Sequence, residues 1–490
     1  MPLVVIAGDP LTARRAIAGA RRVLPRPAAI VSAIIGLAAC ATYQPAPLQP
    51  EQSAARFVER RLDSAEVRDG VAALLPQAQK TWPPQPWNRA ELLAVALVLN
   101  PKLAVARAQV DAALAHEIGA GQRPNPQLTL QSEYARHDPH PWLYGVALDL
   151  LLVSGERRQL DVDLARLETS SARWQLMDQA WEVRRALLAA LSDREGVRRR
   201  LALLEELGAA QQQLVGHEQR RVASGEDAAE LLAAALQARI EIEQLQAQAR
   251  SDLAAAEAAA AAALGVTIAA FDGVAIDWPD WGAPAAAPDS ALRQAREQAL
   301  RSRSDLAAAI AAYAEAEDRL HAAVLRQYPQ IHLEPGYYWD HGIAKFPLNA
   351  AFDLPLFNRN EGEIAETTAA RDVASRRMLG VQAGIIGAID AAQRAEHIAA
   401  ASADVAHRGF QSARAQRRNA AANLRLGDIG AVEDLAAEIV ALRSELELLH
   451  MQEQLQAARN ALEDALHAPL SGPELELAEP LPVAVTGAAR

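Results

Sequence analysis

Apolar positions along this chain follow two periods, and each period predicts a different kind of element. A period of two, typical of strands, runs through segments 127–134, 144–150, 330–339 and 346–357. Polar loops join these segments in pairs, which predicts two β-hairpins. Each run has about the 8–11 residues that a tilted membrane-spanning strand needs.

A helical period fills the remainder of both halves. Each half is predicted to hold a helix before its hairpin, a proline-free rod of about 65 residues after it, and a final helix of about 38 residues. A rod of that length extends for about 100 Å. The predicted helices are 88–121 with a break at Asn100-Pro101, 155–222, one ending at 264, 289–325, 361–424, and one ending near 467 whose leucine-rich seam has coiled-coil spacing.

The two halves also share sequence at a constant offset. Residues 123–130, RPNPQLTL, return 203 positions later as RQYPQIHL at 326–333. This offset is too long for a solenoid repeat, so we interpret it as a duplicated module of helix, hairpin, long helix, turn and helix. The predicted domains are a signal peptide 1–39, a lipidated linker 40–85, a first repeat 86–267, an inter-repeat linker 268–288, a second repeat 289–468 and a Pro-rich tail 469–490, which we expect to be irregular from Ser471.

Cys40 is the only cysteine, and its position is informative. Arginines precede an apolar run of about 12 residues that ends in Leu37-Ala38-Ala39-Cys40, a pattern that is typical of a secretory signal and resembles the lipobox of bacterial lipoproteins. We expect Cys40 to carry lipid; a buried free cysteine is the alternative. After Cys40, no stretch of 18 or more residues is apolar throughout.

Charge and motif content exclude several classes of function. The net charge of −12 disfavours nucleic acid as a partner. The sequence has no catalytic serine, zinc-protease or phosphate-loop motif, so we expect neither an enzyme nor a cofactor. Energy for any transport would have to come from a partner protein.

Four membrane-length strands are too few to close a barrel, and open strand edges in lipid leave backbone groups unsatisfied. Small barrels have about eight or more strands. The hairpins therefore predict an oligomer in which several chains contribute strands to one barrel that carries a long helical tube. A structural coiled-coil lipoprotein without a pore is the alternative class.

Several motifs resemble those of the TolC-like outer-membrane efflux factors over nearly the whole mature chain. They are Asn100-Pro101-Lys102-Leu103, Tyr328-Pro329-Gln330-Ile331, residues 353–359 (DLPLFNR), and the turns at Gly225 and Gly427. The resemblance implies a mainly α fold with transmembrane β-strands, a homotrimer with a 12-stranded β-barrel, and a periplasmic α-helical tunnel. It also implies a lipid-anchored outer-membrane location, a periplasmic adaptor (membrane fusion) protein and an inner-membrane pump of RND type.

The candidate site residues fall into two groups. Gly225 and Gly427 suit tight turns at the tips of the helical hairpins; in the resembled family such tips close the tunnel and meet the adaptor, whereas a turn role alone is the plainer interpretation. The charged residues beside them would then form rings or inter-hairpin pairs in the trimer: Arg221, Glu226, Asp227, Arg425 and Asp428.

The second group marks a strand–helix junction: Pro355, Asn358, Arg359 and Gly362. The first half departs from this motif, because Leu151 stands in place of Pro355 and Ser154-Gly155 in place of Asn358-Arg359. The junction looks most like the heavy-metal cation branch of the family, with drug or solvent efflux as the alternative. His137, His140 and His341 lie in the predicted strand loops, where solvated polar residues are a more common interpretation than a metal site.

Overall fold

The computed structural model describes residues 43–76, 81–283 and 288–477. The chain divides into two compact units, 1–55 and 56–490. In the first unit, the described residues include the start of helix α1 (Pro50–Val58), where the Ser53 hydroxyl donates to the carbonyl of Pro50 at 2.8 Å.

The second unit is mainly helical. Its helices are α2 (Ala65–Leu74), α3 (Arg89–Leu99), α4 (Pro101–Ala120), α5 (Gly155–Ala223), α6 (Ala229–Leu264), α7 (Ile268–Phe271), α8 (Asp289–Ser302), α9 (Ser304–Leu325), α10 (Glu361–Leu426) and α11 (Ala431–Leu466), followed by a 3₁₀ turn (Pro473–Glu476). Its strands are β1 (Trp87–Asn88), β2 (Gln127–Tyr134), β3 (Trp142–Leu152), β4 (Ile276–Asp277), β5 (Ile331–Asp340), β6 (Ile343–Lys345) and β7 (Leu348–Phe352).

Local sequence explains where the helices begin. Asn88 and Glu91 form a capping box at the start of α3, with both hydrogen bonds at 2.9 Å. Pro101 begins α4, where its missing N–H costs nothing, while the Asn100 side chain accepts from the N–H of Lys102. Ser154 caps α5 by accepting from the N–H of Arg157 at 3.2 Å.

The long helices lie side by side in a fixed order. α5 packs against α6 and α11, and α11 packs in turn against α10. One hydrophobic cluster joins α5, α6 and α11 through residues such as Leu204, Ile242 and Ile439. The predicted seam of α11 is confirmed, because Leu435, Ile439, Leu442 and Leu449 are buried and Leu446 is partly buried.

The largest core surrounds α3, which is buried on nearly every side. The parallel pair of β1 and β4 lies beside it, with Trp87 opposite Ile276. Trp278 and Trp281, both in the predicted inter-repeat linker, are 4% and 3% exposed in this same core. Residues 268–283 of that segment are therefore packed against the helices and do not form a loose connection.

The remaining strands form one layer next to the N-terminal ends of the long helices α5 and α10. β2 and β3 pair antiparallel as the first predicted hairpin, from Gln127 opposite Asp149 to Tyr134 opposite Trp142. β3 also pairs antiparallel with β5, and β5 pairs with β6 and β7. The two hairpins thus form one sheet in the order β2–β3–β5, with β6 and β7 along the far edge, and this sheet is not a closed barrel.

Three predictions need correction. The helix predicted over 289–325 is two helices, because Arg303 is extended (φ −57°, ψ 141°) and its guanidinium donates to the carbonyl of Ala465. The strand predicted over 346–357 forms only Leu348–Phe352, with β6 before it, since Pro347 has no N–H for a ladder. The tail from Ser471, predicted to be irregular, contains the 3₁₀ turn, whose Glu474 is buried.

No single helix in the described ranges is both long and apolar enough to cross a membrane. The bent pair of α3 and α4 passes the length and composition test only when the two helices are taken together, across a bend of 54°.

Candidate functional site

The first tip, between α5 and α6, is a glycine-dependent turn. Gly225 has φ 76°, a conformation that residues with a Cβ rarely adopt. Its N–H donates to the carbonyl of Val222 at 3.1 Å, and that of Glu226 donates to the carbonyl of Arg221 at 2.9 Å. These bonds satisfy carbonyl groups at the end of α5, which would otherwise lack partners.

A two-point ion pair closes this tip. The Arg221 guanidinium contacts Asp227 through Nε–Oδ2 at 2.7 Å and Nη2–Oδ1 at 3.1 Å. Glu226 is more distant from Arg221, at 4.0 Å, and is exposed. Because Asp227 is mostly buried, this pair is better shielded from solvent than an ordinary surface ion pair.

Glu218 lies one helical turn above Arg221 and is 6% exposed. Burial, together with the nearby carboxylate of Asp227, raises the pKa of Glu218 above its usual value. Its Oε2 has no hydrogen-bond partner in the described chain. Glu218 was not among the predicted site residues, because an acid within a charged helix has no local sign of burial.

The second tip has the same turn but different electrostatics. Gly427 has φ 81°, and the N–H of Asp428 donates to the carbonyl of Asn423 at 2.9 Å. Arg425 and Asp428 are both exposed, and neither forms an ion pair within the described residues. The two tips therefore differ: the first pairs Arg221 with Asp227, whereas neither Arg425 nor Asp428 has an ion-pair partner in the described chain.

Asn360 holds the strand–helix junction before α10, although it was not among the predicted junction residues. Asn360 adopts φ 62°, accepts none of the helix N–H groups with its side chain, and donates from Nδ2 to the Ala323 carbonyl at 2.9 Å and to Glu363 at 2.7 Å. Asn358 supports it by accepting from the Asn360 N–H at 2.8 Å. The preference of asparagine for left-handed backbone was the available signal.

Within one chain, the other junction residues are exposed or half-buried. Arg359 is exposed, and Pro355 is half-buried. A Cβ built on Gly362 would meet nothing within 4 Å, so no contact in the described chain requires glycine there. Phe357 is fully exposed, and Leu356 is 71% exposed.

The first half fastens its junction differently. Arg157, in the first turn of α5, donates from Nη2 to the carbonyl of Tyr328 at 2.7 Å and also to that of Leu325. These acceptors lie at the end of α9, in the second half of the chain. A side chain of the first half thus holds the segment that leads into the second hairpin.

The sheet presents large apolar side chains to the outside. Leu130 is 75% exposed, and Leu128 is 60% exposed. Aromatic rings cluster toward the far strand ends, where Tyr134 lies 4.9 Å from Trp142 and Tyr144 lies 6.3 Å from Trp339, measured between ring centroids. Such rings at strand ends are typical of an aromatic girdle.

Two histidines of the strand loops, His140 and His341, lie next to each other. His341 Nδ1 is 2.7 Å from the carbonyl of His140 and 3.7 Å from Asp138. These acceptors raise the pKa of His341, the largest effect being the backbone hydrogen bond. Among the described residues, no group of three or more His, Cys, Asp or Glu is arranged to hold a metal ion. Cys40 lies outside the described residues.

An ion network with buried arginines joins α3, the middle of α5, the end of α11 and the 3₁₀ turn. Arg184 of α5 contacts Glu463 of α11 at 2.5 Å and Glu474 of the 3₁₀ turn at 3.3 Å. Arg89 of α3 approaches Glu474 at 3.8 Å and Asp280 at 3.4 Å. This network is not predictable from local sequence, because its members are far apart along the chain.

Comparison with known proteins adds the class of fold. No protein-family model matches the sequence, and no curated protein matches it either. Solved structures do match. The outer membrane protein VceC of Vibrio cholerae is 17% identical with a TM-score of 0.63, over 78% of this chain and 97% of VceC.

Two further structures agree. A membrane protein from Pseudomonas aeruginosa is 18% identical with a TM-score of 0.64, over 87% of this chain and 97% of that one. The open state of the MtrE outer membrane channel of Neisseria gonorrhoeae is 15% identical with a TM-score of 0.62, over 78% and 89% respectively. This chain therefore has the fold of these three proteins over 89–97% of their length.

Proposed function

We propose that this protein is the outer-membrane exit duct of a tripartite efflux system and passes substrate outward without chemistry of its own. One observation carries the proposal. A layer of strands with exposed apolar side chains is joined, in the same chain, to long helices that end in two glycine turns. The fold match to outer-membrane proteins over 97% of VceC supports it. A pore-free coiled-coil lipoprotein has no use for paired hairpins of this kind.

The assembly follows from the open sheet. One chain offers unpaired edges at β2 and at β6 and β7, and lipid does not tolerate such edges. We propose a homotrimer whose copies join edge to edge in a 12-stranded barrel, with the long helices forming a periplasmic tunnel. The duplicated module would then supply six similar units around one pore.

The tips are the proposed aperture and the contact with a periplasmic adaptor, which joins the duct to an inner-membrane pump of RND type. Arg221, Glu226 and Asp227 line one tip, and Arg425 and Asp428 line the other. Exposed charge without a partner in the described chain at the second tip makes it the better candidate for polar contacts with another chain.

The location proposed is the outer membrane, with a lipid on Cys40 after removal of residues 1–39. Labelling cells with a radioactive or clickable palmitate tests this directly. The label should enter the wild-type protein and be absent from Cys40→Ser. Equal labelling of both proteins would rule out Cys40 as the site.

The duct itself is tested by reconstitution of purified protein in planar lipid bilayers. We expect discrete conductance steps and a heat-modifiable oligomer band in gel electrophoresis. A monomer that is purely helical in solution and leaves the bilayer resistance unchanged would contradict the proposal.

For the substrate, we propose heavy-metal cations on the basis of the junction residues Pro355, Asn358, Arg359 and Gly362; drugs or solvents are the alternative. Growth of a deletion strain separates the two. Sensitivity to metal salts that the cloned gene reverses supports metal efflux, whereas sensitivity to drugs alone would assign the duct to drug efflux.

A further inference from the structure

The helical layer of one chain is an open strip with two different edges. Below the short helices, α5 packs against α6 and α11, and α11 packs against α10. Within the described chain this leaves α6 at one edge and α10 at the other. The sheet has its two halves in the same order, with β2 at the edge of the first half and β6 and β7 at the edge of the second.

Both hairpin tips lie at the same height along the rods. Three polar contacts between neighbouring rods show this, because the two residues of each pair differ by at most two positions in their distance from the tip-side helix ends. The pairs are Arg239–Gln212 at 2.9 Å, Arg200–Glu453 at 3.1 Å and Arg417–Glu438 at 2.8 Å. At about 1.5 Å per residue, the heights agree within about 3 Å.

One exposed face of α6 is acidic. Glu230 and Glu241 are exposed on it, and neither forms an ion pair within the described residues. Gln237 and Leu245 lie on the same face at helical spacing, and Leu245 is 53% exposed. The buried side of α6, with Ile242, lies about 100° around the helix from Glu241 and packs into the core shared with α5.

One exposed face of α10 is basic. Arg414, Arg418 and Arg425 are exposed on it, with spacings of four and seven residues. None of the three forms an ion pair in the part of the chain that the structure describes, whereas their neighbour Arg417 pairs with Glu438 of α11. The half-buried Phe410 flanks this basic face.

Counted from the tips, the two faces match level by level. At one residue from the helix end Glu230 corresponds to Arg425, at five Ala234 to Ala421, at eight Gln237 to Arg418, at twelve Glu241 to Arg414, and at sixteen Leu245 to Phe410. Acids meet bases, apolar residues meet apolar residues, and no level in this series places like charges together.

We propose that α6 of one copy packs antiparallel against α10 of a second copy in this register, with Glu230–Arg425 and Glu241–Arg414 as inter-chain ion pairs. The proposal rests on the homo-oligomer of the proposed function and adds its contact surface. Since the two edges differ, the contact is heterologous, which means that it joins two different surfaces. Such a contact closes into a ring when the rotation between copies permits. The unpaired charges of α10 thereby acquire partners of opposite sign.

Cysteine cross-linking tests the register. Ala234 and Ala421 are each five residues from the tip, and the sequence has only one native cysteine, Cys40. The doubly substituted chain Ala234→Cys/Ala421→Cys should form disulfide-linked oligomers in membranes treated with a mild oxidant. The matched control, Ala247→Cys/Ala421→Cys, places the first cysteine about 20 Å higher on an exposed part of α6 and should give at least tenfold less cross-linked product.

Charge reversal provides an independent arm on protein purified in detergent. Glu241→Arg and Arg414→Glu should each shift the oligomer toward monomer in light scattering, and the double exchange should restore it. Oligomers that conduct in bilayers but cross-link no more than the control, or that ignore the reversals, would overturn this register while leaving the duct intact. Wild-type protein that is monomeric and forms no pore would overturn both proposals.

Discussion

Asn100 donates a buried hydrogen bond of 2.8 Å from its side-chain amide to the carbonyl oxygen of Ala263. This bond joins the break between α3 and α4 to the end of α6. In the second half, Arg303 lies 203 positions after Asn100 and donates to the carbonyl of Ala465, which lies 202 positions after Ala263. The offset of the sequence repeat therefore also relates two equivalent joints, made by an amide in one half and by a guanidinium in the other.

Replacing Asn100 with Ala should lower thermal stability. The change leaves the Ala263 carbonyl without its buried partner and removes the cap that accepts from the N–H of Lys102. Loss of such a buried bond costs about 1–3 kcal/mol, and loss of a cap costs about 1 kcal/mol more. Circular dichroism melts of protein in detergent measure the effect. Asn419→Ala, on an exposed surface of α10, is the control; equal melting temperatures for both variants would contradict the role of Asn100.

Gly265 should tolerate no side chain. It has φ 78°, and a Cβ built there would lie 2.7 Å from the carbonyl oxygen of Leu99. We expect Gly265→Ala to destabilise the protein by more than about 1 kcal/mol. Gly119→Ala is a matched control, because a Cβ at that helical position meets nothing within 4 Å and should stabilise by about 0.5–1 kcal/mol. Melts that rank the two variants in the opposite order would refute the steric argument.

Much of this architecture is predictable because the rods depend on local sequence. The predicted helix 155–222 is observed as Gly155–Ala223, and the turn at Gly225 occurs where the sequence places it. Helical periodicity without proline, ended by a glycine that permits positive φ, depends only on nearby residues. The first hairpin was predictable for the same reason, since alternation marks each of its strands.

Contacts between distant segments were not predictable. Arg303 interrupts a helix that sequence alone predicts to be continuous, because its partner Ala465 lies far along the chain. The burial of Trp278 and Glu474 in segments rich in proline likewise depends on packing against α3 and α5. At the candidate site, the glycine turns were predictable, whereas the pairing of Arg221 within its own tip depends on how the turn folds back on the helix.

His467 should make the protein less stable in acid. Its ring stacks on Trp181 with centroids 5.0 Å apart, and Ser304, Arg303, Asp305, Glu182 and Arg184 surround it. Burial, helped by Arg303, lowers the pKa of His467 to about 4. The unfolded chain takes up the proton first as the pH falls below about 6.5. Stability therefore decreases between about pH 6.5 and 4, by at most about 3 kcal/mol. Because the ring is partly exposed, solvent screening makes this loss smaller.

The variant His467→Asn tests that assignment, because asparagine tolerates the left-handed backbone (φ 48°) of this position. The difference in melting temperature between pH 7 and pH 4.5 should be smaller in His467→Asn than in the wild type. His407→Asn, an exposed control on α10, should keep the wild-type difference. An unchanged acid response in His467→Asn would exclude this histidine as its source.

Arg184 and its neighbour Arg185 offer a matched comparison of buried and exposed ion pairs. Arg184→Met leaves the buried carboxylates of Glu463 and Glu474 without their shared partner, which costs about 3–5 kcal/mol. Arg185→Met breaks only the exposed pair with Glu182, worth about 0–1 kcal/mol. Thermal melts should therefore separate the two variants clearly. Similar melting temperatures would show that the buried network adds little to stability.

The tips yield a prediction that depends on the proposed duct. Glu226 and Asp428 are exposed acids on the two tips, and an acidic ring at a pore mouth favours cations. Changing both to Ala should loosen the closed aperture, and bilayer recordings should show larger or more frequent conductance steps with weaker cation preference. The double variant Glu66→Ala/Asp111→Ala removes the same charge from exposed positions outside the tips and should conduct like the wild type. Identical conductance and selectivity in all three proteins would mean that these acids do not form the aperture.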